Sequence, residues 1–151
     1  SIARPKDGVF FSTLSYAPPY KVFGGGETTL AAIGESYKRV VLLAAIARPA
    51  PFADKVRHYC NVACELLFAD HHAFTTDDLL RLEKAAGNDG STAVITTEKD
   101  AARLMSCAGR LSPVLRDNIY ALPVKVEFLF NGQTVFNDKI LGYVQQYQGN
   151  R

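Results

Sequence analysis

One continuous apolar run constrains the fold of this chain more than any other feature of its sequence. The run covers Arg39–Ala47 and reads RVVLLAAIA, without the alternation of polar residues that marks a half-exposed strand. Such a run is typical of a strand that is buried on both faces in a parallel sheet. After Arg48 and Pro49 the apolar positions recur at helical spacing from Phe52 to Ala63, so the sequence predicts a unit of strand, turn and helix.

Two further units of strand, turn and helix follow, and the helix of each opens with a Thr-x-x-Asp capping box. The predicted strands are Glu65–Phe68 and Thr92–Thr96, and the predicted boxes are Thr75 with Asp78 and Thr97 with Asp100. Alternation of strands with helices predicts a parallel sheet with right-handed crossovers. We therefore expect an α/β fold of the Rossmann-like, three-layer type, with a mostly parallel sheet and helices on both faces.

The N-terminal part of the chain shows a different pattern. Val9–Tyr16 is predicted as a strand and Tyr20–Phe23 as a short return strand. Together they form either a two-stranded ribbon or a connecting arm. Their aromatic side chains pack on another domain, rest at a membrane surface or belong to the core. We expect residues 1–30 to be a β linker arm and residues 31–151 to be an α/β domain at the C-terminal side of this arm.

The C-terminal part changes to a period of two residues from Ile119 onward. Apolar positions over Val124–Phe128 alternate with charged ones, as in a half-exposed strand. Asn131-Gly132 predicts a tight turn that pairs this strand with Gln133–Phe136 in an antiparallel hairpin. A closing helix is expected around Asp138–Tyr147.

Composition and charge exclude several classes of function. The chain has 151 residues, with 17 basic and 15 acidic side chains and a formal net charge of +2. This charge is too small and too scattered for a nucleic-acid interface. No run approaches the ~20 apolar residues that a spanning helix needs, so we expect a soluble chain. Cys60, Cys64 and Cys107 are an odd number without a secretory signal, which favours reduced thiols; a zinc site at the first two lacks a second pair of ligands.

Two polar clusters stand where an apolar run ends and a helical pattern begins. They are Asp70-His71-His72 and Glu98-Lys99-Asp100, and in an open α/β sheet ligands are usually held at this edge. Two histidines beside a carboxylate suit proton transfer, because imidazole titrates near neutral pH and an adjacent acid fixes its tautomer. They also suit a metal ion. The structural alternative is a solvated turn with surface histidines and a capping aspartate.

Other features also have both a functional and a structural interpretation. Arg48 follows a buried strand and either holds a phosphate or is an exposed side chain. The helix start at Glu98-Lys99 either accepts an anion on its backbone amides or is only a capped end with a charge pair. Gly24-Gly25-Gly26 lacks the lysine and the spacing of a phosphate-binding loop, so we interpret it as a flexible turn.

Three segments, in this order and at these separations, resemble the C-terminal half of the tetraacyldisaccharide 4'-kinase family, the lipid A 4'-kinases of Gram-negative bacteria. They are AIARPAPF, FADHHAFTTDDLLRL and AVITTEKDAARL. The phrase DGVFFSTLSYAPPY resembles the segment that leads from the nucleotide-binding domain of that family into its second domain. The resemblance covers nearly the whole chain, which begins at Ser1 in the middle of a polar phrase, and we expect the chain to be a piece of a longer protein.

The resemblance implies phosphoryl transfer from ATP to the 4'-hydroxyl of tetraacyldisaccharide 1-phosphate, the lipid A disaccharide precursor. The expected location is the cytoplasmic face of the bacterial inner membrane, as a peripheral protein. The family carries its P-loop and magnesium ligands in the N-terminal domain. We therefore expect ATP and Mg²⁺ to be bound mainly by that missing domain, and the fragment to have no cofactor, no metal site and no turnover of its own.

The resemblance also implies roles for individual residues. His71 is expected to work with a carboxylate of the N-terminal domain in activating the sugar hydroxyl, and Asp70 is expected to support it. Arg48 and the Glu98-Lys99 pair are expected to line the interdomain cleft and to bind the substrate. The family often has glycine where this chain has Ala45, a departure that bears on any close backbone approach to a phosphate there.

Two other functions fit parts of the sequence. A metal-dependent phosphoesterase of the Asp-His-His type needs several further Asp and His ligands, whereas the one other histidine, His58, lies on a predicted helix away from the sheet edge. A noncatalytic Rossmann-type binding module for a nucleotide or sugar phosphate fits the strand and helix pattern. The chain lacks the glycine-rich fingerprint of the dinucleotide-binding folds, so the sequence names no ligand for such a module.

Overall fold

The computed structural model describes residues 12–128 and residue 141. They fall into two compact units. The larger unit runs from Ala17 to Pro123, and the smaller unit contains the described residues 12–16, 124–128 and 141. Within the described residues, no helix is both long enough and apolar enough to cross a membrane.

Strands and helices alternate along the larger unit. The strands of the described chain are β1 (Ser12–Tyr16), β2 (Tyr20–Lys21), β3 (Arg39–Ala44), β4 (Val62–Leu67), β5 (Thr92–Thr97), β6 (Ile119–Leu122) and β7 (Val124–Phe128). The helices are α1 (Leu30–Ser36), α2 (Ala50–Tyr59), α3 (Thr76–Ala86), α4 (Glu98–Ser106) and α5 (Pro113–Asp117), with a short 3-10 helix at Ala108–Arg110.

The larger unit is built on a five-stranded sheet in the order β2-β6-β5-β3-β4. Strands β6, β5, β3 and β4 are parallel, and β2 is an antiparallel edge strand. The smaller unit contains a two-stranded antiparallel sheet, in which β1 pairs with β7. The predicted α/β class, with a mostly parallel sheet between helices, is confirmed.

The apolar run that begins at Arg39 forms the central strand of the parallel sheet, with β4 on one side and β5 on the other. Val41 and Leu43 pack in one core cluster with α3 and α4, while Val40 and Leu42 point to the opposite face, the side of α1 and α2, and are equally buried. Both faces are therefore covered, which explains why this strand carries no polar residue inside the sheet.

Several predictions about the ends of the chain differ from the structure. In the described residues, the two predicted N-terminal strands do not pair with each other as a ribbon, one of the two expected alternatives: β1 pairs with β7, and β2 pairs with β6. The predicted strand Val124–Phe128 is present as β7, and Ile119–Leu122 forms a separate strand, β6, because Pro123 cannot donate to a ladder and separates the two. Local patterns identify strands, but the partners of edge strands are chosen by contacts distant in the sequence.

Other predictions fall outside the described residues. They are the first residues of the predicted N-terminal strand, the turn at Asn131-Gly132, the hairpin strand Gln133–Phe136 and the helix around Asp138–Tyr147. The predicted division of the chain at residue 30 stays a prediction. Helices α1 and α5 were not expected from the sequence, and both are short, with seven and five residues.

Candidate functional site

The candidate site lies at the carboxyl ends of the parallel strands. From β3 the chain crosses to β4 on one side, and from β5 it crosses to β6 on the other side. The strand order therefore reverses between β3 and β5, and in open α/β sheets ligands bind in the crevice at this point. Residues 45–49 follow β3, residues 68–75 follow β4, and α4 begins directly after β5.

Asp70 connects the two predicted polar clusters. One of its carboxylate oxygens lies 3.5 Å from Nε2 of His71, and the other lies 3.6 Å from Nζ of Lys99 at the start of α4. Both distances are longer than a hydrogen bond, so these are close ionic contacts rather than tight pairs. The His71 side chain is 72% exposed, against 39% for Asp70 and 47% for Lys99. The arrangement presents an accessible imidazole next to a carboxylate that a lysine partly neutralises.

The backbone of His71 adopts an unusual conformation. Its φ angle is +63°, and among the described residues it is the one non-glycine residue with a positive φ. This left-handed region costs an L-residue about 1–2 kcal/mol, so the surrounding structure has to hold it. The reverse turn sends the side chains of His71 and His72 into different environments.

His72 is fixed by its neighbours on α3 and on the loop. Its Nε2 lies 2.7 Å from a carboxylate oxygen of Asp78, and its ring stacks on Phe68 with centroids 4.6 Å apart. Arg81 lies over the Phe68 ring at 5.8 Å. The backbone N–H of Thr75, and after it the His72 ring, hold the pKa of Asp78 below its usual range. His72 is thus a packed, hydrogen-bonded side chain, whereas His71 projects outward.

Asp78 also completes the predicted capping box of α3. The Thr75 hydroxyl accepts the N–H of Asp78, and the Asp78 carboxylate accepts the N–H of Thr75. This box is confirmed. The same aspartate therefore closes the helix end and holds His72, which joins the start of α3 to the loop after β4.

The second predicted box, at Thr97 and Asp100, forms only in part. The Thr97 hydroxyl accepts the N–H of Asp100, but the Asp100 carboxylate does not return to the N–H of Thr97. It accepts instead the N–H of Ala45 at 2.9 Å and the Thr97 hydroxyl at 2.7 Å. Asp100 is fully buried on α4, which follows β5, and Ala45 follows β3, the strand that pairs with β5. The N–H of Ala45 therefore takes the place that the N–H of Thr97 has in a complete capping box.

Arg103 lies one turn further along α4 and reaches the loop after β4. Its Nη1 donates to the other Asp100 carboxylate oxygen at 3.0 Å and to the carbonyl oxygen of His72 at 3.3 Å. Arg103 and His71 also line a cavity of about 240 Å³ together with Ala73, Phe74, Ser106 and Cys107. The side of His71 that faces α4 is therefore a concave and mainly apolar surface.

The remaining predicted site residues lie at the same edge but are not joined to this cluster. Arg48 is exposed in the loop after β3 and has no hydrogen-bond partner among the described residues. Glu98 accepts a hydrogen bond from the Tyr20 hydroxyl at 3.2 Å, and burial together with Glu98 raises the pKa of that tyrosine. Glu98 and Lys99 thus contact different partners, Tyr20 for the first and Asp70 for the second.

Sequence reasoning assigned Asp78 to a helix cap and Asp100 to a helix cap within a candidate polar cluster, and it assigned no role to Arg103 or Tyr20. An aspartate at the third helical position is a common cap, so nothing local distinguishes one that also binds a distant group. The spacing of Asp100 and Arg103, three residues apart on one helix, was the available signal, since such pairs meet on a helix surface.

Within residues 12–128 and residue 141, no group of three or more His, Cys, Asp or Glu is arranged to hold a metal ion.

Comparison with known proteins gives a consistent result. The family model for Tetraacyldisaccharide-1-P 4'-kinase matches residues 16–145. A tetraacyldisaccharide 4'-kinase from Phocaeicola vulgatus is 32% identical over 148 residues, and one from Bacteroides fragilis is 33% identical over 152 residues. Each alignment covers 97% of this chain and 40% of the relative, so the chain spans about two fifths of the length of these relatives.

A shorter and more similar match comes from another group of bacteria. The tetraacyldisaccharide 4'-kinase of Rhodopseudomonas palustris is 46% identical over 81 residues, which cover 53% of this chain and 23% of the relative. Among solved structures, LpxK from Aquifex aeolicus in complex with ATP matches with a TM-score of 0.48 and 14% identity. That match covers 85% of this chain and 35% of the other.

Proposed function

The chain belongs to the tetraacyldisaccharide-1-phosphate 4'-kinase family, and from this membership we propose that it is the C-terminal part of an ATP-dependent lipid kinase. The proposed reaction transfers a phosphoryl group from ATP to the 4'-hydroxyl of tetraacyldisaccharide 1-phosphate in lipid A biosynthesis. The proposed place of action is the cytoplasmic face of the inner membrane, where the lipid substrate resides. The proposed partner within the same protein is an N-terminal P-loop domain.

The observation that carries the proposed chemistry is the exposed pair of His71 and Asp70 at the carboxyl edge of the sheet. Phosphoryl transfer to a hydroxyl needs a group that receives or directs the proton of the attacking oxygen. His71 is accessible and its Nε2 lies 3.5 Å from the Asp70 carboxylate, which favours one orientation of the ring. In the proposed mechanism, His71 orients a carboxylate base of the N-terminal domain.

The cationic residues at this edge suit a phosphorylated substrate. Arg48 is exposed, with its guanidinium available to a phosphate group, and Lys99 lies at the first turn of α4, where the backbone amides also favour an anion. Glu98 is proposed to accept a hydrogen bond from a sugar hydroxyl beside its contact with Tyr20. These three side chains are the proposed substrate contacts of this part of the protein.

ATP and Mg²⁺ are proposed to be bound mainly by the N-terminal domain, and the chain alone is proposed to be inactive. The sequence supports this, because GGGETT has neither the lysine nor the spacing of a phosphate-binding loop. We expect titration calorimetry with the purified chain to show no ATP binding at micromolar concentrations. Tight binding of ATP or a sugar phosphate would instead favour the alternative, a noncatalytic Rossmann-type binding module.

The decisive experiment compares His71→Ala with His72→Ala in the full-length enzyme that contains this segment. We expect His71→Ala to lower the turnover of ATP-dependent lipid phosphorylation by roughly a hundredfold, as for a positioned proton-transfer group. His72→Ala is the matched control. It removes the side-chain contacts to Asp78 and Phe68 but keeps the carbonyl oxygen that accepts from Arg103, so it should lower the thermal stability while the rate per folded molecule stays within about threefold of wild type. Near-wild-type rates for both variants would remove His71 from the mechanism.

A further inference from the structure

Asp100 and Arg103 connect the loops that follow β3 and β4, yet neither belongs to the reacting groups proposed above. We propose, on the basis of the proposed function, that Arg103 is a positioning residue for the phosphoryl transfer. It holds the loop after β4 in the conformation that presents His71, through its hydrogen bonds to Asp100 and to the carbonyl oxygen of His72.

The anchor of this arrangement is the Asp100 carboxylate. It is fully buried and accepts hydrogen bonds from the Ala45 N–H, the Thr97 hydroxyl and Arg103 Nη1. A buried carboxylate with such donors is held in one orientation, because the loss of any donor leaves part of its charge uncompensated. Asp100 therefore fixes the guanidinium of Arg103 relative to the central strands of the sheet.

Arg103 extends this rigidity to the loop that carries His71. Its Nη1 lies 3.3 Å from the carbonyl oxygen of His72, the residue that follows His71. The Arg103 side chain is 25% exposed, so water competes only in part for this contact. Of the described residues, Lys99 contacts the residue before His71 and Arg103 contacts the residue after it, so α4 holds both sides of His71.

The backbone of His71 explains why such support matters. Its left-handed φ of +63° is unfavourable for a histidine, and a free loop would relax toward other conformations. A catalytic side chain has to stay within about 0.5 Å of its productive position, and a misplacement of about 1 Å can cost a hundredfold in rate. A contact that fixes the peptide next to His71 therefore acts on the rate without touching the substrate.

The test uses the full-length enzyme and measures kcat and the KM values for the disaccharide lipid and for ATP. The variants are Arg103→Gln, Arg103→Lys, His71→Ala and the double variant of Arg103→Gln with His71→Ala. We expect Arg103→Gln to lower kcat by about tenfold with both KM values within about twofold of wild type. Arg103→Lys keeps a charged donor beside Asp100, so it should recover part of this loss.

The double variant separates positioning from a general structural role. If Arg103 acts through His71, removing Arg103 changes nothing further once His71 is absent, so the double variant should match His71→Ala within about twofold. Rates are compared per folded molecule, with thermal unfolding measured for every variant. Arg116→Gln, at a partly exposed arginine of α5 away from this loop, is the matched control and should behave as wild type.

The other outcomes contradict the inference in distinguishable ways. Multiplicative losses in the double variant would show that Arg103 acts independently of His71, and the proposed function would stand. A rise in the KM for the lipid with kcat unchanged would make Arg103 a substrate contact in the cavity beside His71. Arg103→Gln indistinguishable from Arg116→Gln would remove its role. An unaffected His71→Ala enzyme would overturn both this inference and the proposed mechanism.

Discussion

Helices α3 and α4 begin with the same local sequence pattern but end in different structures. Each has a threonine cap followed three residues later by an aspartate, Thr75 with Asp78 and Thr97 with Asp100. In α3 the aspartate, which is 9% exposed, closes the box on the threonine N–H and shares its carboxylate with His72. In α4 the aspartate is fully buried and turns to the N–H of Ala45, on a segment 55 residues earlier in the chain.

The difference shows that a local motif fixes where a helix begins but not what its capping side chain does next. Helix α3 starts after the loop that follows the edge strand β4, where the Asp78 carboxylate accepts the N–H of Thr75 and contacts the ring of His72. Helix α4 starts directly from β5, beside the central strand β3, where a backbone donor lies within reach. Asp78 therefore holds the loop that carries the histidines, and Asp100 joins the ends of β3 and β5, where the strand order reverses.

The largest expected effect comes from removing the two aspartates in turn. Asp100→Ala leaves the Ala45 N–H and the Arg103 guanidinium without their buried acceptor, and should lower the free energy of unfolding by about 3–5 kcal/mol. Asp78→Ala removes a cap and one bond to His72, and the partners Thr75 and His72 are exposed and partly exposed, so the expected loss is about 1–2 kcal/mol. Urea unfolding of the chain at neutral pH measures both. Equal losses would show that the burial of Asp100 does not distinguish the two helix starts.

A smaller effect is expected from the threonine caps. Thr97 accepts the N–H of Asp100 and also donates its hydroxyl to the buried carboxylate, so Thr97→Ala should cost about 2 kcal/mol. Thr75 is exposed, and water competes there for the contacts of its hydroxyl with the N–H and the carboxylate of Asp78, so Thr75→Ala should cost about 1 kcal/mol.

The serine variants are the matched controls for this pair. Thr97→Ser and Thr75→Ser keep the hydroxyl and should retain most of the stability, as measured by the same urea titration. A larger loss from Thr75→Ala than from Thr97→Ala would contradict the conclusion that the buried cap contributes more stability than the exposed one.

The parts of the fold that were predictable from the sequence are those whose pattern is set by burial alone. Strand β3 was predictable because a strand covered on both faces excludes polar residues, and the boundaries of α3 followed from its cap. Helix α1 was not predicted because it is short: two of its seven residues, Leu30 and Ile33, are buried apolar side chains, and its first turn has no acidic residue. Its Gly34 is needed for close packing, since a Cβ there would lie 2.1 Å from the Tyr59 carbonyl oxygen.

The candidate site was predictable as a location but not as a set of contacts. The two polar clusters, Asp70-His71-His72 and Glu98-Lys99-Asp100, were both expected at the carboxyl edge of the sheet, and Lys99 does approach Asp70 there. The different fates of His71 and His72 were not predictable from two adjacent identical residues, since they depend on a backbone reversal and on Asp78, six residues further along. Likewise the partner of Asp100 is set by the order of strands in the sheet, which no local pattern encodes.

The smallest expected effect concerns acid, and it tests whether Asp78 is held by the contacts described above. The Thr75 N–H and the His72 ring lower its pKa in the folded chain, so the unfolded chain takes up this proton more readily. The stabilisation is fully present above the ordinary aspartate pKa of about 3.9, and it is lost as the pH falls through the lower folded value. Asp78→Asn has no such proton to take up. The stability difference between wild type and this variant, followed by urea unfolding from neutral to acidic pH, should therefore shrink below about pH 4.

His72→Gln removes the second cause of the lowered pKa of Asp78, so the stability of this variant should depend less steeply on acid pH than that of wild type. A difference that stays constant with pH would mean that neither contact acts on the charge of Asp78, and the two helix starts would then differ in burial alone.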